Sequence, residues 1–337
     1  MRAFIIFVVF IVALDQAVGA ALDGLYRRTT SGELGGLINL ALKQSPDILV
    51  LGNSRARHHI APSILGPRLS ASVFNAGADG HDFLYAIMLL DLWTRSHRPP
   101  GAIILNMDPR SLSRSEEELQ RTSVFSAYFG ESRTVQRVLL IRDHYARLKY
   151  LSSSYRFNGK VLPIIKNLIV QPDPAFDGYV GATDSMDVRA DPIIAAVGQE
   201  VGQAAEWDVK LEYLKELAKY CRENGTRLFL VAGPVFTPDP VRSVWSARMS
   251  ELITSYPGVE FLDLSERTHP ELFAAQAQLY HDNLHLNARG AEIFSTLLAS
   301  QIAERIGKTK LSRLADSTKF QYREDGVSGP HASISRR

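Results

Sequence analysis

Ser54 stands in Leu51-Gly52-Asn53-Ser54-Arg55, directly after a short apolar run and a glycine. A hydroxyl is a weak nucleophile at neutral pH, so such a serine attacks a carbonyl only when a base takes its proton. Near the other end of the chain stands Asp282-Asn283-Leu284-His285. A carboxylate three residues before a histidine in a turn can accept the imidazole Nδ1–H, which fixes the tautomer and leaves Nε2 as the base. Between the two, Asn75-Ala76-Gly77-Ala78-Asp79-Gly80 offers a glycine whose backbone N–H can approach a developing oxyanion. With the Ser54 N–H it would make two fixed donors. Each motif alone has a plain structural meaning: Ser54 suits the start of a helix, Asp282 suits a stabilised turn, and Gly80 suits a positive-φ position. Together they describe nucleophilic attack on an acyl group.

The elements that must position these residues follow from the hydrophobic pattern. Five short apolar runs, 47–51, 72–75, 102–105, 227–232 and 259–264, read as buried strands, several of them ending in Gly, Asn or Pro turns. Helical periodicity covers 33–44, 83–93, 207–222, 241–256 and 288–306. Strands alternating with helices predict an α/β fold with a parallel sheet covered on both faces. In such sheets ligands bind beyond the carboxyl ends of the strands, where Ser54, Gly80 and Asn106 all fall. The segment 113–202 breaks the rhythm and reads as a mostly helical insertion between the third and fourth strands, a lid or substrate wall or else a scaffold piece. Residues 309–337 are polar and aperiodic, and read as a disordered tail.

The order of these motifs resembles the SGNH/GDSL hydrolase family. Gly52-Asn53-Ser54-Arg55 is similar to its first block, with Asn53 where Asp is usual. Asn75-x-Gly-x-x-Gly80 is similar to its second, and Asp282-Asn-Leu-His285 to its last. The resemblance implies a three-layer flavodoxin-like fold with a five-stranded parallel sheet. It implies Ser54 as nucleophile, His285 as base and Asp282 as acid, with the Ser54 and Gly80 N–H groups and the Asn106 side chain as oxyanion donors. The third block departs from the pattern: Leu105-Asn106-Met107-Asp108-Pro109 brings the asparagine early, and Asp108 is placed to position Arg55 or Arg57. A narrower resemblance is to exported bacterial SGNH-like proteins of cell-surface polysaccharide modification. It implies a serine esterase or O-acyltransferase, acetyl first, acting on an acylated carbohydrate or other ester. The alternative is a catalytically inactive SGNH-like component that binds glycan in an envelope assembly. A flavodoxin-like nucleotide module ranks last, because neither Gly-x-x-x-x-Gly-Lys nor Gly-x-Gly-x-x-Gly is present.

Arg55, Arg57 and Arg110 cluster around these loops and read as substrate-binding cations for an acidic glycan, or as a solvated face. His58-His59 lacks the spacing of a metal site, so neither metal nor cofactor is expected. The formal net charge is +2, and residues 308–337 hold an excess of Lys and Arg over Asp and Glu, so the remaining chain is slightly acidic and nucleic acid is not an expected partner. The single cysteine, Cys221, excludes an intramolecular disulfide. Arg2 precedes an unbroken non-polar run, Ala3 to Leu14, followed by small residues at 17–21. Residues 1–22 therefore read as a signal peptide or membrane anchor, and the domain at 33–308 as periplasmic or at the cell surface. Asp15 and Gln16 inside a spanning segment weigh against the anchor.

Overall fold

The computed structural model describes residues 1–32, 35–170, 176–186, 205–237 and 241–306. Five strands, β1 (Ile48–Leu51), β2 (Val73–Asn75), β3 (Ala102–Asn106), β4 (Arg227–Ala232) and β5 (Val259–Asp263), form one sheet in the order β2-β1-β3-β4-β5. Every pairing is parallel. The order is compatible with a flavodoxin-like fold. The order reverses between β1 and β3, and in such sheets ligands bind at the carboxyl ends of the strands flanking that point.

Side-chain alternation explains why the strands carry no period-two polarity. Ile48, Val50, Ile104, Phe229 and Val231 face one layer, with Phe294, Leu298 and Ile302 of the final helix, Ala288–Ile306. Leu49, Leu51, Ile103, Leu105, Leu228 and Leu230 face the other, with Met88, Leu214 and Met249. Both faces are dry, so both sets are apolar. Each such side chain stabilises the fold by about 1.5–3 kcal/mol on burial.

The helices Phe83–Trp93 and Ala288–Ile306 have the expected bounds, and Asp208–Glu223 and Arg242–Ile253 differ from expectation by a few residues at their ends. The helix expected over 33–44 is shorter, Gly36–Ala41. Gly35 precedes it at φ +102°, and the chain leaves helical geometry ahead of Pro46, which disfavours helix in the residue before it.

The insertion between β3 and β4 is a set of short pieces, among them Glu116–Arg121, Arg133–Arg142, Ala146–Lys149 and Val161–Ile169. An antiparallel bridge between Ser113 and Glu206 closes its base. Lys210, fully buried, pairs with Glu118 and donates to the Ser111 carbonyl at 2.8 Å, pinning the insertion to the sheet domain. The expected tail at 309–337 lies outside the described residues.

The first helix, Arg2–Tyr26, has 25 residues and a mean hydropathy of 2.4 over its most apolar window. By length and composition it suits a signal sequence or a membrane anchor. Its last residue, Tyr26, is fully buried and donates to the Val124 carbonyl at 3.0 Å.

Candidate active site

β1 builds the Ser54 turn. At its end Gly52 takes φ +137°, a region that side chains avoid, and a Cβ there would lie 2.9 Å from the Asn106 Cβ. Asn53 then caps the helix Ser54–His59, its Oδ1 accepting the Arg55 N–H at 2.9 Å. Ser54 is the first residue of that helix, and its Oγ lies 2.7 Å from His285 Nε2.

The turn before the final helix fixes the histidine. Asp282 Oδ1 accepts the backbone N–H of Leu284 at 2.7 Å and of His285 at 2.8 Å. The His285 Nδ1 stands 2.8 Å from Asp282 Oδ2 and 2.9 Å from Oδ1. Burial pushes the Asp282 carboxyl upward, but the hydrogen bond and charge of His285 and the two N–H donors outweigh it and hold the group down at about 2. A further contact holds the loop: Leu286 N–H donates to His59 Nε2 at 3.0 Å. His59 is fully buried, and burial, followed by the neighbouring His285 and Arg55, lowers its pKa far below the ordinary value, so it stays neutral with the proton on Nδ1.

The loop after β2 docks on the Ser54 turn through Ala76 N–H to the Val50 carbonyl at 2.8 Å and Ala78 N–H to the Gly52 carbonyl at 3.1 Å. Gly77 is required by close approach, since a Cβ there would sit 2.7 Å from the Arg57 nitrogen. Gly80 has φ +69°, and Arg121 from the insertion lies over it so closely that a Cβ would reach its guanidinium.

Ser54, Asp282 and His285 are thus brought together, with the Gly80 loop packed beside them. Asn106 stands behind the turn instead: it is 1% exposed, and its amide donates to Asn53 Oδ1 at 3.2 Å. One amide hydrogen of Asn106, expected as an oxyanion donor, is thus engaged in bracing the Ser54 turn. Two of the three arginines expected to bind substrate already have carboxylate partners. Arg55 is ion-paired with Asp108, which also accepts from Asn53, and Arg57 pairs with Asp79 at 2.7 Å. Guanidinium groups held in these part-buried pairs brace the loops from which they project. Arg110 is exposed and lines a cavity with Leu112, Trp245 and Arg248 that Ser54, Asp282 and His285 do not border.

Several contacts around the centre were not found from sequence. The His58 ring packs edge-to-face on His285 with centroids 5.4 Å apart. Its Nε2 lies 3.1 Å from Asp79 and its Nδ1 2.6 Å from the Val180 carbonyl. Burial lowers the His58 pKa, but these two acceptors, both favouring the doubly protonated ring, more than offset it and the net shift is upward. The stretch 176–186 of the insertion straps the rim. Asn75 N–H donates to the Asp177 carbonyl at 2.8 Å, Val180 N–H to Arg57 at 3.2 Å, Ala288 N–H to Ala182 at 2.7 Å and Met186 N–H to Tyr280 at 2.8 Å. No sequence signal marks this strap beyond Gly178, whose φ of +92° and contact with the Asn75 carbonyl exclude a side chain. Among the described residues no group of three or more His, Cys, Asp or Glu side chains is gathered to hold a metal ion.

No family model matches the chain, and no curated protein matches it. The geometry therefore carries the functional argument.

Proposed function

We propose that the protein is an extracytoplasmic serine esterase or O-acyltransferase of SGNH type, acting through an acyl-enzyme on an acylated, acetylated first, cell-envelope or exported polysaccharide. The observation that carries this reading is the chain of contacts from Ser54 Oγ to His285 Nε2 at 2.7 Å and from His285 Nδ1 to Asp282 at 2.8 Å. As Oγ attacks the ester carbonyl, its proton passes to Nε2, and Asp282 stabilises the imidazolium that forms. The carbonyl oxygen becomes an oxyanion beside the Ser54 and Gly80 N–H groups, where each donor is worth about 3–4 kcal/mol. Collapse returns the proton to the leaving alcohol and leaves the acyl group on Ser54. Water or a sugar hydroxyl, deprotonated by the same Nε2, then takes the acyl group and restores the serine.

A carbohydrate as the alcohol is supported by the resemblance of the Gly-x-Ser-Arg loop, the long insertion and the apolar first helix, which suits export, to exported SGNH-like proteins of cell-surface polysaccharide modification. The inward-turned Asn106 favours, as second reading, a silent domain that binds glycan. Turnover of p-nitrophenyl acetate separates the two. Hydrolysis that disappears in both Ser54→Ala and His285→Ala is the expected result; activity that persists in both variants overturns the assignment of these residues. Mass spectrometry of surface glycans from cells carrying Ser54→Ala is expected to show altered acetylation.

A further inference from the structure

The insertion carries a surface that the reaction does not use. In the helix Val161–Ile169, Ile164 and Asn167 are buried, yet Leu162 is 78% and Ile169 79% exposed, with Ile165 also outward. Residues 162, 165 and 169 form one stripe at helical spacing, so this helix is apolar on its outer face as well as its inner one. Leu148 and Leu151 are likewise exposed, and Arg147 and Lys166 stand among them. Large apolar side chains left this exposed on two neighbouring segments mark a contact with another phase or molecule.

Both segments border the first helix. The Gln16 amide reaches the Leu151 carbonyl at 3.4 Å, and the helix Val161–Ile169 packs against the same helix. Asp15 accepts from Ser152 Oγ at 2.7 Å and Ser153 N–H at 2.8 Å, with Ser154 completing the clasp, and Ser153 Oγ donates to Gln16 at 2.6 Å. Gly19 is buried against Ser153, where a Cβ would lie 2.3 Å from the serine Cβ. Asp15, Gln16 and Gly19 are therefore shaped for this domain, although cleavage in the small-residue run would discard most of that contact. The clasp also removes the objection to an anchor, because the polar pair sits on protein and not in lipid.

We propose that the first helix is retained as an anchor and that the exposed apolar face of the insertion rests in the bilayer interface beside it. The lengths argue for this occupant. The free apolar stretch Ala3–Leu14 spans about 18 Å at 1.5 Å per residue. A hydrocarbon core is about 30 Å thick. Sinking the flanking apolar face by about 5–10 Å supplies most of the difference. Arg147 and Lys166 meet the charge of anionic headgroups. This inference is independent of the catalytic reading.

The test uses the full chain in vesicles of phosphatidylethanolamine and phosphatidylglycerol. An environment-sensitive dye is placed at Leu162→Cys or Ile165→Cys, with Phe7→Cys as the lipid reference and Glu304→Cys, on the opposite layer, as the water reference. Cys221 is buried and stays in place. Labels at 162 and 165 are expected to shift to the blue and to be quenched by brominated lipid to at least about half the extent seen at Phe7. Emission matching Glu304 overturns the proposal. Blue emission without lipid quenching also overturns it, by showing a second copy of the chain on this face. Intact mass of the membrane-extracted protein is expected to include residues 2–21, and a mature chain beginning after Ala20 refutes retention.

Discussion

Ser54 and His285 lie 231 residues apart in the chain and 2.7 Å apart in space. If that contact transfers the proton, Ser54→Ala and His285→Ala should each lower kcat on a chromogenic ester by about 10⁴ to 10⁶, and the double variant should be no worse than either. Asp282→Asn should cost about 10⁴ through the wrong imidazole tautomer. An additive double variant in the same assay would contradict a shared step. His58 gives a pH signature of its own. Its pKa in the fold is raised, so the Asp79 and Val180 contacts contribute stability that is complete below its unfolded value of about 6.5 and is lost as pH rises through the folded value. Thermal melts of His58→Gln should therefore fall below the parent at pH 6 and approach it at pH 9. The meeting of Ser54, Asp282 and His285 was legible because each local motif needs only its own few residues. His58 with Asp79, and His59 with Leu286, were not legible, since their partners lie 21 and 227 residues away and no local pattern announces them.

At the scale of elements, the ion pair between Lys210 and Glu118 joins the insertion to the sheet domain in a site without water exposure. Removing one partner strands the other charge, so Lys210→Met should destabilise by about 3–5 kcal/mol, while Lys210→Met with Glu118→Leu should recover part of that loss in chemical denaturation. Gly178→Ala should act more locally. It forces a side chain into positive φ against the Asn75 carbonyl, and limited proteolysis should cut 176–186 faster with little change in the global melt. The five strands were readable because a sheet buried on both faces writes itself as short continuous apolar runs. The insertion was harder to read, because its pieces are short, from the four-residue helix Ala146–Lys149 and the 3₁₀ segment Thr122–Tyr128 to the ten-residue helix Arg133–Arg142, and set up little period. Its position between the third and fourth strands and its mostly helical character could be read, but not the bounds of its pieces.

On the scale of the whole molecule, one insertion touches both the first helix and the reaction rim. Asp15→Ala should speed trypsin cleavage after the exposed Arg147 and Lys149, because the Ser152–Ser154 loop loses its acceptor and the chain there loosens. Unchanged digestion would show that the clasp does not order the loop. The strap at 176–186 has a mechanical consequence. It is bonded to the Ser54 helix through Arg57 and His58, and to the His285 turn and final helix through Tyr280 and Ala288. A force that lifts the strap therefore pulls on the Ser54 helix and the His285 turn together, so the strap and the contact between those two residues should move as a single part.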